Sequence, residues 1–65
     1  MSYQIEAHKV IVGTSLRVPR FKNGEQRGWN WVIVESVEID GLTVNIKAGH
    51  KIRPRNFNEL VTVSE

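Results

Sequence analysis

The chain has 65 residues and no cysteine, and its nine Lys and Arg against seven Asp and Glu give a formal charge of +2. That length holds one domain, residues 1–65, which buries only about 60% of its unfolded surface, so its core is marginal and self-association would help it. Disulfides and cysteine-ligated zinc are excluded, and no apolar run approaches the roughly 20 residues of a membrane span. The start, Met1-Ser2-Tyr3-Gln4-Ile5-Glu6, has neither the charged nor the apolar region of a secretory signal, so a cytoplasmic protein is expected.

Helical periodicity is absent and β-branched residues dominate, which predicts strands. His8 to Val12 alternates weakly and reads as an N-terminal strand. Ser15 to Arg20 reads as a strand with Leu16 and Val18 inward and Arg17 and Pro19 outward, and Pro19 places it at a sheet edge or strand end. Phe21 to Gly28, with Asn23-Gly24 inside it, is a loop or an irregular hairpin.

Trp29 to Ile39 is the longest strand expected. Val32 and Val34 fall on one parity, Val37 and Ile39 on the other, and a β-bulge near Glu35-Ser36 reconciles the two. Asp40-Gly41 fits a two-residue turn, setting Ile39 opposite Leu42, Val37 opposite Val44 and, beyond the bulge, Val34 opposite Ile46. Ala48-Gly49-His50 fits a three-residue turn that places Ile46 opposite Ile52, Lys47 opposite Lys51 and Asn45 opposite Arg53. Asn56 to Leu60 suits one short 3₁₀ or helical turn, and Val61-Thr62-Val63 a closing strand.

This order is all-β: strand, long loop, three-strand meander, one turn, last strand. The segments Gly13-x-x-Leu16-x-Val18, Trp29-x-Trp31-Val32-x-Val34-x-x-Val37, Gly41-Leu42-x-Val44-x-Ile46 and Arg55-x-x-x-Glu59-Leu60 resemble a Tudor-type member of the SH3-like small barrels. The resemblance implies a barrel of five or six strands with one short 3₁₀ or helical turn near the C-terminus. Plasmid-type dihydrofolate reductases also have an SH3-like protomer, with a Val-Gln-Ile-Tyr motif. The similar place here, His50-Lys51-Ile52-Arg53, lacks the Gln and Tyr, so that activity is not expected.

Three groups of residues bear on function. Lys47, Lys51, Arg53 and Arg55 surround one turn without an acidic residue among them, and the expected register sends all four to the outer face. Like charges across a ladder repel, and an anionic partner relieves the repulsion. Solvation, or neutralisation by Glu35, Glu38 or Asp40, is the alternative. Trp29 and Trp31 share an outward parity with Ile33, beside Thr43, Asn45 and Lys47, where they can stack on bases, grip a protein or cap the barrel. The stretch Arg17 to Arg27 adds Arg20, Lys22 and Arg27, with Phe21 expected as a buried anchor.

His8 and His50 stand alone without metal spacing, and no phosphate loop or nucleophile–base pattern is present. The expectation is therefore a non-catalytic module with no cofactor and no metal. It would bind DNA or RNA without sequence specificity through Lys47, Lys51, Arg53 and Arg55, with Trp29 or Trp31 stacking and Arg20, Lys22 and Arg27 extending the footprint. The alternative is a protein-interaction or homo-oligomerising module in which the outer tryptophans and the first loop hold an acidic protein, a peptide or a second copy. A methyl-lysine or methyl-arginine cage would need several converging aromatics, and Tyr3, Phe21, Trp29, Trp31 and Phe57 are all that the chain offers.

Overall fold

The computed structural model describes residues 1–65. Alternation in β2 (Ser15–Lys22) buries Leu16 and Val18 and turns Arg17 and Pro19 away. β3 (Glu25–Asp40) has 16 residues, which would extend about 50 Å at the usual rise per residue. The longest dimension of the whole molecule is 33 Å, so β3 has to bend, and it serves two sheets. Its first part pairs with β2, its second with β4 (Thr43–Ala48). The pairing shifts between Val34 and Ser36, leaving Glu35 as the extra residue. The expected bulge is therefore present, and it returns Val37 and Ile39 to the inner face already occupied by Val32 and Val34.

β1 (Ser2–Glu6), β5 (Lys51–Asn56) and β6 (Leu60–Ser64) complete six antiparallel strands in the order β1-β6-β2-β3-β4-β5, curled into a half-barrel. The core lies on the concave face and consists of ten residues, of which Leu16, Val34, Val44, Ile46 and Val63 are the largest fully buried side chains. Ala7 and Val10 close one end of it. Ala7 begins, and Val10 follows, a 3₁₀ segment, Ala7–Lys9, held by the Ala7 N–H donating to the Glu59 carbonyl at 2.8 Å and by His8 stacked on Phe57 at 4.1 Å.

Several expected elements fall elsewhere. The N-terminal strand is Ser2–Glu6 and not His8–Val12; it carries only Tyr3 and Ile5, which pair with Val63 and Val61, so its alternation is too short to stand out. The 3₁₀ element accordingly lies near the N-terminus. The short turn expected between Asn56 and Leu60 is present as a single turn, closed by the Glu59 N–H donating to the Asn56 carbonyl at 3.0 Å. Of the two readings of Phe21 to Gly28, the irregular hairpin is the one present: Lys22 pairs with Glu25 around Asn23 and Gly24, whose φ values of 55° and 80° match a type I′ turn. Its irregularity is a register shift between Pro19 and Phe21 that leaves Arg20 unpaired in the ladder.

Two turns differ by register, with different consequences. Asp40 pairs with Thr43, so the turn residues are Gly41 and Leu42, and Val37 meets Ile46 while Val34 meets Ala48. This slip of two residues along β4 keeps every side chain on its expected face. The β4–β5 turn holds two residues, Gly49 and His50, not three, and Ala48 pairs with Lys51. That odd change inverts β5. Lys51, Arg53 and Arg55 now share the inner face with Ala48, Ile46 and Val44, while Ile52 and Pro54 join Lys47 and Asn45 outside.

The tight turn has two visible supports. Gly49 has φ 61°, and a Cβ there would lie 2.8 Å from Val32 Cγ1, so the close packing onto β3 requires glycine. His50, at φ 64°, donates its backbone N–H to Glu35 Oε2 at 2.8 Å, and its Nδ1 lies 3.5 Å from the same oxygen. The bulge residue of β3 thus fastens the turn that orients β5.

Candidate functional site

β2 meets β6 only at Ser15 and Leu16, so the edge of β2 from Arg17 onward has no second strand. β5 has β4 on one side and no strand on the other. Pro19, which cannot donate to a ladder, sits where β2 pairs on one side alone, in agreement with its sequence reading. Between these two free edges the half-barrel opens into a cleft of about 520 Å³. Val18, Val32 and Asn30 contribute to its lining from the inner face, and Arg20, Phe21, Lys51, Arg53 and Arg55 line it as well. No Asp or Glu does.

Each arginine is positioned by the backbone. Arg20, which faces the β3 bulge at Arg27 and Gly28, donates Nε–H to the Arg27 carbonyl at 2.9 Å, and its guanidinium lies over Gly28, 3.9 Å from where a Cβ would stand. Arg53 donates Nε–H to the Ala48 carbonyl at 3.1 Å. Arg55 donates from Nη1 to the Pro54 carbonyl at 2.8 Å, and its Nε lies 3.6 Å from Glu59 Oε2. Arg20, Lys51 and Arg53 have no carboxylate partner.

Alternate residues of a strand on one face are roughly 7 Å apart, so Lys51, Arg53 and Arg55 form a row of cations at about the spacing of successive phosphates along an extended strand. A concave surface focuses such charge. Arginine offers a planar fork of donors to phosphate oxygens, and in Arg20 and Arg53 only the Nε–H is already used.

The remaining predicted residues lie elsewhere. Lys47 is on the outer face, Lys22 is at the hairpin tip, and Arg27 pairs with Glu25 at 3.0 Å. Trp29 and Trp31 point outward as expected, opposite Pro19 and Arg17, and are 51% and 48% exposed. The Arg17 guanidinium lies 4.2 Å above the Trp29 ring. The expected single surface joining Trp31 to Arg53 therefore does not form. Trp31 pairs with the outward Arg17, whereas Arg53 pairs with the inward Ile46, and the sheet stands between them.

Phe21 is the aromatic that the sequence reading misplaced. Expected as a buried anchor, it is 62% exposed and lines the cleft beside the cations. The signal for this was in the chain: Asn23-Gly24 as a two-residue turn extends β2 through Phe21 and Lys22. The two histidines stay apart, His8 against Phe57 and His50 against Glu35, and no group of three or more metal-ligating side chains is present.

Comparison with family models, curated proteins and solved structures found no match.

Proposed function

We propose that this chain is a non-catalytic module that binds nucleic acid without sequence specificity, through the cleft between β2 and β5. The observation that carries this reading is the convergence of Arg20, Lys51, Arg53 and Arg55 on one concave surface whose lining holds no acidic residue. Four cations of one sign in a cleft are matched by a polyanion, and phosphate contacts of this kind position a chain without reading its bases. The strand order, the bent β3 shared by two sheets and the one-turn break before β6 support the SH3-like, Tudor-like reading of the fold. No helix is long and apolar enough to cross a membrane, and a cytoplasmic setting belongs to the same proposal.

The test is a titration of labelled oligonucleotides at several salt concentrations. If the four cleft cations each neutralise a phosphate of a single strand, log K falls against log salt with a slope of about −3. The double variant Lys51→Gln/Arg53→Gln is expected to lose about half of that slope. Wild-type binding that is absent at low salt, or indifferent to salt, contradicts the proposal.

A second reading rests on the other face. Trp29, Trp31 and Ile33 form an exposed outward row along β3, the composition of a protein-binding surface. That face fits a partner protein or a second copy of this chain, and it leaves the cleft open. Light scattering that finds a monomer at all accessible concentrations, with unchanged tryptophan emission, removes the second-copy version.

A further inference from the structure

We infer that the cleft selects single-stranded over double-stranded nucleic acid, with Phe21 as the platform on which one base stacks. This rests on the nucleic-acid reading above and adds to it the form of the ligand. The argument begins with the position of Phe21. Opposite Arg20, the bulge of β3 at Arg27 and Gly28 shifts the ladder between Pro19 and Phe21, and Phe21, mostly exposed, is among the residues lining a cleft whose other side is Lys51 to Arg55. An exposed aromatic next to a row of cations is the combination that holds an unpaired strand, because each base offers a ring face while the backbone follows the charge.

Size points the same way. The whole molecule measures 33 × 25 × 20 Å, and the cleft, at about 520 Å³, is of the size that holds a small ligand. A base with its sugar and phosphate enters such a space. A duplex does not, and its bases would be stacked on one another and unable to reach Phe21. The duplex could meet only the rim cations, so its binding keeps the electrostatic contribution and lacks the stacking one. Arg20 is held by Arg27 on the same hairpin that carries Phe21, so one element brings both a cation and an aromatic to the cleft.

The test compares fluorescence anisotropy of a labelled oligo-dT, a duplex of the same length and the oligo-dT with poly-glutamate as competitor, all at low salt. Wild type is set beside Phe21→Leu, which keeps an apolar side chain without a ring face, and beside Lys51→Gln/Arg53→Gln. The exposed position of Phe21 lets the leucine variant fold, which circular dichroism verifies. The expected result is tighter binding to oligo-dT than to duplex by about tenfold or more. Phe21→Leu is expected to weaken oligo-dT binding by roughly 5- to 100-fold with the duplex unaffected. Duplex binding equal to or tighter than oligo-dT overturns the inference, as does a Phe21→Leu variant within twofold of wild type. If either occurs while the lysine–arginine variant still loses affinity, nucleic-acid binding by the cleft stands and single-strand selection falls. Poly-glutamate displacing oligo-dT equally well per unit charge, or wild type binding no oligonucleotide, overturns both.

Discussion

Arg53 stands directly across from Ile46 in the β4–β5 ladder, so a cation shares the concave face with a fully buried member of the core. It is tolerated there because β5 is the last strand of the sheet and the barrel is open beside it. The guanidinium donates to the Ala48 carbonyl and lines a cleft rather than entering the core. An inward-facing cation on an edge strand also discourages another strand from adding there.

The turn that sets this arrangement can be tested through Gly49. Alanine at this position combines a φ of 61° with a Cβ 2.8 Å from Val32 Cγ1. Overpacking of this kind costs about 1–3 kcal/mol, and a lowered urea midpoint with an unchanged slope is the expected outcome.

Glu35→Ala removes the acceptor of the His50 N–H. The expected loss is about 1 kcal/mol, which corresponds to a fall of about 4–8 °C in thermal midpoint for a domain of this size. Glu35→Gln keeps an acceptor oxygen and is expected to retain most of the stability. Equal losses in the two variants would show that the charge, not the hydrogen bond, holds the turn.

Leu16→Ala opens a cavity where β2, β3 and β6 meet. Such truncations cost about 2–5 kcal/mol, against about 3–10 kcal/mol for an entire domain of this length. The variant is expected to be largely unfolded by circular dichroism at 37 °C. Ile46→Val, at about 0.5–1.5 kcal/mol, is expected to remain folded.

The outer face is expected to be separable from the cleft. Trp29→Ala removes the ring under Arg17, an exposed cation–π contact worth about 0.5–1 kcal/mol. Oligonucleotide affinity should stay within twofold of wild type, and Lys47→Gln should behave the same way. Concentration-dependent mass by light scattering is the property that Trp29→Ala is expected to reduce if that face pairs two copies.

How far the sequence carried the structure depends on parity. Alternation in Leu16-x-Val18 and the phase change from Val34 to Val37 are local signals, and they gave the strands, the inner face and the bulge at Glu35. Turn length is a weaker signal. Ala48-Gly49-His50 reads with two central residues or three, and it is contacts distant in sequence, Gly49 on Val32 and the His50 N–H on Glu35, that support two. That one residue inverted β5, separated Arg53 from Trp31 and carried three cations into the cleft. Phe21 was misplaced because a loop residue can fold back as an anchor, whereas in the hairpin it pairs with Gln26 and stays mostly exposed.

The most direct test of the cleft is an NMR titration of the amide spectrum with oligo-dT at low salt. Binding at the proposed site predicts the largest shift changes at Arg20, Phe21 and Lys51 through Arg55, with Trp29, Trp31 and Lys47 nearly unmoved. The largest changes on the outer face at Trp29, Trp31 and Lys47, or a spectrum that does not respond at all, would contradict it.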